Sequence, residues 1–167
     1  MMMRKPTAKT ALLVFLGAVA LAGMAAPARS DTASASRPGA SAAADGAWRA
    51  YGNVNPITSS TSTWGCAASK AIAVDVVAQV CAVRAQHGGA VQGAVIVRNN
   101  RSTRYDTAAG SELFTYGEYR EGYWVCPVSG VAPHSWSVCF GTTLPLSVLT
   151  HARGWAAYTD LETSPYV

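Results

Sequence analysis

Between residues 70 and 84 the even positions Ile72, Val74, Val76, Ala78, Val80 and Ala82 are all apolar, while the odd positions mix Asp75, Val77, Gln79 and Cys81. A period of two is the signature of a strand with one buried face. A helix is the rival, because alanine is plentiful and Gly88-Gly89 could cap it. Against it, Lys70, Asp75, Gln79 and Arg84 do not gather on one helical face, and five valines prefer extended backbone. His87-Gly88-Gly89 supplies a turn. A second strand follows at 91–98, with Val91, Gly93, Val95 and Val97 on one side, which predicts a hairpin. Asn99-Asn100 starts another turn, since Asn tolerates left-handed backbone. Shorter strands are predicted at 112–119, 122–126, 135–140, 146–150 and 154–159. Many short strands separated by Gly, Asn and Pro predict an all-β fold, a small antiparallel sandwich or barrel.

The ends of the chain follow other rules. Residues 1–9 carry Arg4, Lys5 and Lys9 and no acid. Residues 11–21 are apolar apart from Gly17, and small residues follow, with Ala26-Pro27-Ala28 or Ala28-Arg29-Ser30 as cleavage sites. That order predicts a secretory signal peptide over 1–30. The apolar run falls short of the roughly 20 residues a spanning helix needs. The expectation is therefore a secreted, extracellular protein with no membrane attachment after signal removal. Residues 31–46 are Ala, Ser, Gly, Thr and Pro apart from Asp31, Arg37 and Asp45, with almost no large apolar group, a composition that cannot offset its ordering entropy. Residues 47–63 add Trp48, Tyr51, Val54 and Ile57 among Gly52, Asn53, Pro56 and a Ser/Thr run. The division predicted is a signal peptide (1–30), a flexible leader and extended arm (31–62), and a disulfide-braced β domain (63–167).

Export changes the meaning of the four cysteines, which become expected disulfides. Three pairings are possible. The local one, Cys66 with Cys81 and Cys126 with Cys139, closes two short loops and is the pairing favoured. Zinc would want close Cys-x-x-Cys pairs, which are absent, so no metal and no other cofactor is expected. Trp64-Gly65-Cys66 and Trp124-Val125-Cys126 share a Trp-x-Cys pattern, but their flanks do not otherwise match. The formal charge of +4 is concentrated at the N-terminus. From residue 47 onward eight basic residues face seven acidic ones, a net of +1. A nearly neutral domain has no broad field to gather nucleic acid.

Candidate chemistry is sparse, and no residue is assigned a catalytic role. Gly-x-Ser-x-Gly is absent, and His134 and Ser135 are adjacent, which on a strand sends them to opposite faces. Glu112, Glu118 and Glu121 lie near Phe114, Tyr116, Tyr119, Tyr123 and Trp124. Paired carboxylates beside aromatics could serve a small glycan-acting hydrolase. The milder reading is a sugar or protein contact surface, where rings give rigid contact area at small entropic cost. Arg98, Arg101 and Arg104 read as a charged loop that keeps a sheet edge soluble. The Cys126–Cys139 loop holds Pro127, Pro133, His134 and Trp136, a closed and stiffened segment suited to presenting an aromatic.

An Ala-rich signal, a low-complexity leader, the arm from Trp48 to Thr63 and a four-cysteine β domain together resemble small secreted actinobacterial proteins, and among them the adaptor subunit of umbrella toxin particles. The resemblance is one of layout and transfers no residue position by position. It implies an extended N-terminal arm that engages a repeat-containing toxin stalk and a globular part that holds a lectin subunit. The expected function is a secreted, non-catalytic binding module, an adaptor joining subunits of an extracellular assembly, with an extracellular protein partner. Its contact residues are expected to be Trp48, Tyr51, Val54 and Ile57 on the arm and His134 and Trp136 on the loop. A secreted hydrolase inhibitor presenting the Cys126–Cys139 loop is the alternative.

Overall fold

The structure, a computed structural model, describes residues 42–167. The expected signal peptide and the leader up to residue 41 lie outside the described residues. Among those described, the strands are Ala44–Asp45 (β1), Ala47–Gly52 (β2), Thr63–Cys66 (β3), Lys70–Ala73 (β4), Val76–Arg84 (β5), Val91–Asn99 (β6), Tyr105–Thr115 (β7), Tyr119–Val131 (β8), Ser135–Phe140 (β9), Thr150–Ala156 (β10) and Thr159–Thr163 (β11). They form two sheets packed face to face, so the sandwich is realised rather than the barrel. One sheet runs β1-β8-β7-β10-β11. The other runs β2-β9-β6-β5-β3, with β4 pairing β5 beside β3. Every pairing is antiparallel except β1 with β8.

The alternation read from residues 70–84 sets the inner face. Val76, Ala78, Val80 and Ala82 of β5 join Val95 and Val97 of β6 against Ala109, Leu113, Ala152, Ala156 and Leu161 of the opposing sheet. Gly154 lets the sheets approach closely. A Cβ there would sit 2.8 Å from the Gly110 carbonyl oxygen and 2.8 Å from Val80 Cγ2. The odd positions are not solvated as a two-layer pattern would suggest. Cys81 and Val83 belong, with Ala94, Ile96 and Val138, to a second apolar cluster on the outer face of the β2–β3 sheet, against which Tyr51, Ile57, Trp64, Trp136 and Phe140 pack. Part of this cover comes from the chain between β2 and β3, where Pro56 is buried and the Asn55 side chain accepts the Ile57 N–H. From Ala44 onward, the segment expected to form an arm is thus woven into the sandwich: β1 edges one sheet, β2 edges the other, and residues 53–62 lie over the second cluster.

Several expected strand limits shift, and the strand expected at 112–119 contains the β7–β8 turn at Tyr116-Gly117-Glu118. The run over 70–84 is two strands, because Val74-Asp75 forms a tight turn with Asp75 at φ 56°. Asp tolerates that geometry, and the apolar alternation continues across the turn only because Val74, 78% exposed, occupies its tip. The strand expected at 154–159 contains the β10–β11 reversal at Ala157-Tyr158. The strand expected at 146–150 starts only at Thr150; residues 141–149 make one isolated bridge, Leu144 with Val91.

Both disulfides are the local pairs. Cys66–Cys81 joins directly opposed residues of β3 and β5, with Cα atoms 4.0 Å apart. Cys126–Cys139 joins β8 to β9, and so ties one sheet to the other at a fully buried site. Among the described residues, no helix is long and apolar enough to cross a membrane. Two disulfides are compatible with an oxidising, extracellular setting. Replacing Cys126 and Cys139 together by Ala should lower stability by about 3 kcal/mol. Urea unfolding of the oxidised proteins measures this; equal midpoints for variant and wild type would show that the bridge does not hold the sheets together.

Candidate functional site

Alternation on β10 turns Thr150, Ala152, Gly154 and Ala156 inward, and presents His151, Arg153 and Trp155 on the outer face of the β1–β11 sheet. Their cross-strand partners on β7 are Phe114, Glu112 and Gly110. The last pairing shapes the surface. Trp155 lies over Gly110, where an added Cβ would come within 2.6 Å of the indole Nε1 and 2.8 Å of Cε2. A bare backbone opposite a large ring is a recurrent cross-strand arrangement, the ring covering what the glycine leaves open. The indole N–H also reaches Tyr123 Oη on β8 at 3.4 Å.

The next residues bring a second ring to the same place. Ala157 and Tyr158 have φ of 47° and 61°. Two successive left-handed residues in a two-residue hairpin are the type I′ arrangement, which normally selects Asn and Gly. Neither is present, so the backbone here is strained, and strain of this kind points toward function. Tyr158 is 100% exposed. Its ring is nearly parallel to that of Trp155, at 14° and 6.5 Å between centroids. Together with Glu112, Tyr123, Arg153, Gly154 and Asp160, the two rings line an open cavity of about 640 Å³, a size ordinary for small-molecule sites.

The charged groups around the cavity are held in place. Glu112 is bridged by Arg120 at 2.7 Å. Asp160 Oδ1 accepts the Glu162 N–H at 3.0 Å. The β11 edge is further tied to β4 by Lys70, whose Nζ meets Glu162 Oε1 at 2.7 Å and the Asp160 carbonyl at 3.1 Å. Arg153 stacks over Phe114 at 4.7 Å and donates to Glu118 Oε2 at 2.5 Å. Beside it His151, 1% exposed, stacks on Phe114 and meets the Tyr166 ring edge-on, with Nε2 3.2 Å from Glu118 Oε1. Its Nδ1 is buried without a protein partner.

The residues expected to bind a partner fall elsewhere. Trp48 faces the inner core and donates to the Pro127 carbonyl at 2.7 Å. Tyr51, Ile57 and Trp136 come together over the second apolar cluster, Trp136 lying under Arg98 at 5.1 Å and Tyr51 under Arg49 at 5.0 Å. Val54 is 54% exposed, and His134 is exposed at the β8–β9 turn with φ 49°. The Cys126–Cys139 segment is therefore a hairpin arm of the sandwich, with His134 at its tip. Of the acidic candidates, Glu112 lines the cavity. Glu118 sits in the β7–β8 turn, and Glu121 accepts from Thr115 Oγ1 at 3.1 Å; neither lines it. Trp124 is buried in the core, while Tyr116 and Tyr119 are exposed. Among the described residues, no group of three or more His, Cys, Asp and Glu is placed to hold a metal ion.

Trp155, Tyr158, Arg153 and Asp160 were not legible as a site. Read as one strand, residues 154–159 place Trp155 and Tyr158 on opposite faces; the turn at 157–158 returns Tyr158 to the side of Trp155. A strand written with a Trp, a Tyr and an Asp within six residues was the available signal. Comparison with family models, curated proteins and solved structures finds no match to this chain.

Gly110→Ala should push the Trp155 ring off the sheet, because the clash is with the rigid indole, at a cost of about 1–3 kcal/mol. A changed near-UV circular dichroism spectrum with retained β content is the expected result. An unaltered spectrum and unaltered stability would show that the indole does not rest on Gly110.

Proposed function

We propose that this chain is a secreted, non-catalytic binding module whose contact face is the aromatic cleft on the outer face of the β1–β11 sheet. The observation that carries the reading is Tyr158, fully exposed on a strained turn and aligned with Trp155 above a cavity. Large exposed rings held by a stiff backbone lose little freedom on contact, and such residues dominate binding energies. The two outer faces differ in the same sense: one is partly covered by this chain's own residues 53–62 and keeps a smaller cavity of about 340 Å³, whereas the other carries the larger cleft. Binding rather than turnover is favoured by the engagement of Glu112 with Arg120 and of Glu118 with Arg153 and His151. A glycosidase needs two carboxyl groups flanking one bond, and in the cleft Glu112 and Asp160 are each already tied to a neighbour.

An adaptor role is the finer reading. It is supported by the resemblance of the layout to that of umbrella toxin adaptors. Residues 31–41 precede β1, which lies at the sheet edge opposite β11. Since β1, β2 and residues 53–62 build the sandwich itself, the arm to be tested is 31–41 alone.

Trp155→Ala and Tyr158→Ala should each weaken binding of a partner recovered from the native culture medium by about tenfold or more, measured by calorimetry, with Tyr119→Ala as the exposed control. Unchanged affinity in both would remove the cleft from the contact face. Ligand turnover by the wild-type protein that Glu112→Gln abolishes would overturn the non-catalytic reading. Deleting residues 31–41 should release one partner from a ternary complex while leaving the cleft occupied; a complex that survives the deletion intact would end the adaptor reading.

A further inference from the structure

The lining of the cleft narrows what it can hold, and we propose that it is a saccharide-binding site that seats a short neutral glycan with a pyranose face on Trp155 and Tyr158. The inference rests on the cleft being the contact face. The apolar part of the lining is a pair of nearly parallel rings, one resting on the sheet and one standing free at the turn. A sugar ring offers a flat face of C–H groups to such a surface and a rim of hydroxyls to polar groups beside it.

Polar groups of both kinds are present. Glu112 and Asp160 are acceptors, and Arg153 and the Tyr123 hydroxyl are donors. Asp160 commits one oxygen to the Glu162 N–H, which leaves the other for a ligand. Arg153 engages Glu118 through Nη2, and its remaining N–H groups are available to the cleft. A hydroxyl both donates and accepts, so a neutral polyol uses this mixed lining fully.

Charged ligands use it poorly. Glu112 is paired with Arg120 and Arg153 with Glu118, which leaves the Asp160 carboxylate as the lining charge without an ion-pair partner among the described residues, and it opposes an anion. A quaternary or methylated ammonium wants rings closing round it at an angle, whereas these two lie 14° from parallel with a guanidinium at their side. The cavity of about 640 Å³ gives room for more than a single small group.

The strained turn gains a purpose from this reading. With Ala157 and Tyr158 in left-handed geometry, the Tyr158 ring is set before the ligand arrives, which reduces the ordering cost of binding. Lys70 holds the β11 edge, and with it Asp160, to the other sheet.

The test is titration of the isotopically labelled protein with neutral tetrasaccharides of β-glucose, xylose, N-acetylglucosamine, mannose and α-glucose, following the tryptophan indole N–H signals. At least one sugar should move the Trp155 signal saturably at millimolar concentration. Tyr158→Ala should weaken that binding by about tenfold or more, Tyr158→Phe should retain most of it, and Asp160→Asn should weaken it. Tyr158 is wholly exposed, so its replacement tests contact rather than folding. Absence of any saturable shift, shifts confined to Trp64 or Trp136, or preferential saturation by an oligogalacturonate or a trimethyl-lysine peptide would each overturn the saccharide inference. If sugars fail while Trp155→Ala and Tyr158→Ala still cost the protein partner its affinity, the cleft remains the contact face and only the ligand class falls. If both fail, both readings fall together.

Discussion

The close approach of β10 to β5 and β6 sets the spacing of the two sheets and, through it, the placement of both outer faces. Gly154 presents no side chain to the inner face, so Val80 and Val95 reach the backbone of the opposing sheet at near-contact distance. Interiors are packed at crystal-like density, and a gap or an excess of a single methyl is felt there. Seating β10 this deeply fixes its other face with the same accuracy. Because side chains alternate across a strand, whatever holds Ala152, Gly154 and Ala156 inward also sets His151, Arg153 and Trp155 outward in a row. The site is thus the reverse side of the core contact.

The cysteine bridges reinforce different parts of this arrangement. Cys126–Cys139 connects the two sheets directly, and its burial places the constraint inside the core. Cys66–Cys81 lies on the far face of the other sheet and pins the short β3 to β5, where a strand of four residues would otherwise rest on few ladder bonds. A domain of this size buries a modest fraction of its surface, so such constraints matter more than in a larger protein.

The unequal treatment of the two outer faces follows from where apolar residues remain after the core is filled. On the β2–β3 sheet, Cys81, Val83, Ile96 and Val138 need cover, and residues 53–62 with Tyr51, Trp64, Trp136 and Phe140 provide it. On the β1–β11 sheet the outward positions alternate aromatic and charged groups, which tolerate water on one side and contact on the other. The residues expected to reach a partner from the arm mostly serve the first face. Trp48, Tyr51 and Ile57 satisfy the chain's own surfaces, because an extended segment with large apolar groups is drawn to any uncovered apolar sheet within its reach.

Features that depend on neighbours along the chain could be read before any fold was known. Period-two alternation over 70–84 and 91–98 gave the strands β5 and β6 and their hairpin, though not the break between β4 and β5; Ser135–Phe140 came out as a strand with its limits unchanged; and the short separations of the cysteines pointed to the local pairing that the fold adopts. Turns without turn residues, and pairings between strands distant in sequence, emerged only in the folded chain. Val74-Asp75 and Ala157-Tyr158 reverse the chain without Gly or Asn, so a linear pattern runs straight through them. The cleft needs Gly110 opposite Trp155 and Glu112 opposite Arg153, pairings separated by more than forty positions, and register between such strands is set by how the two sheets bury their inner faces, a quantity no local window contains.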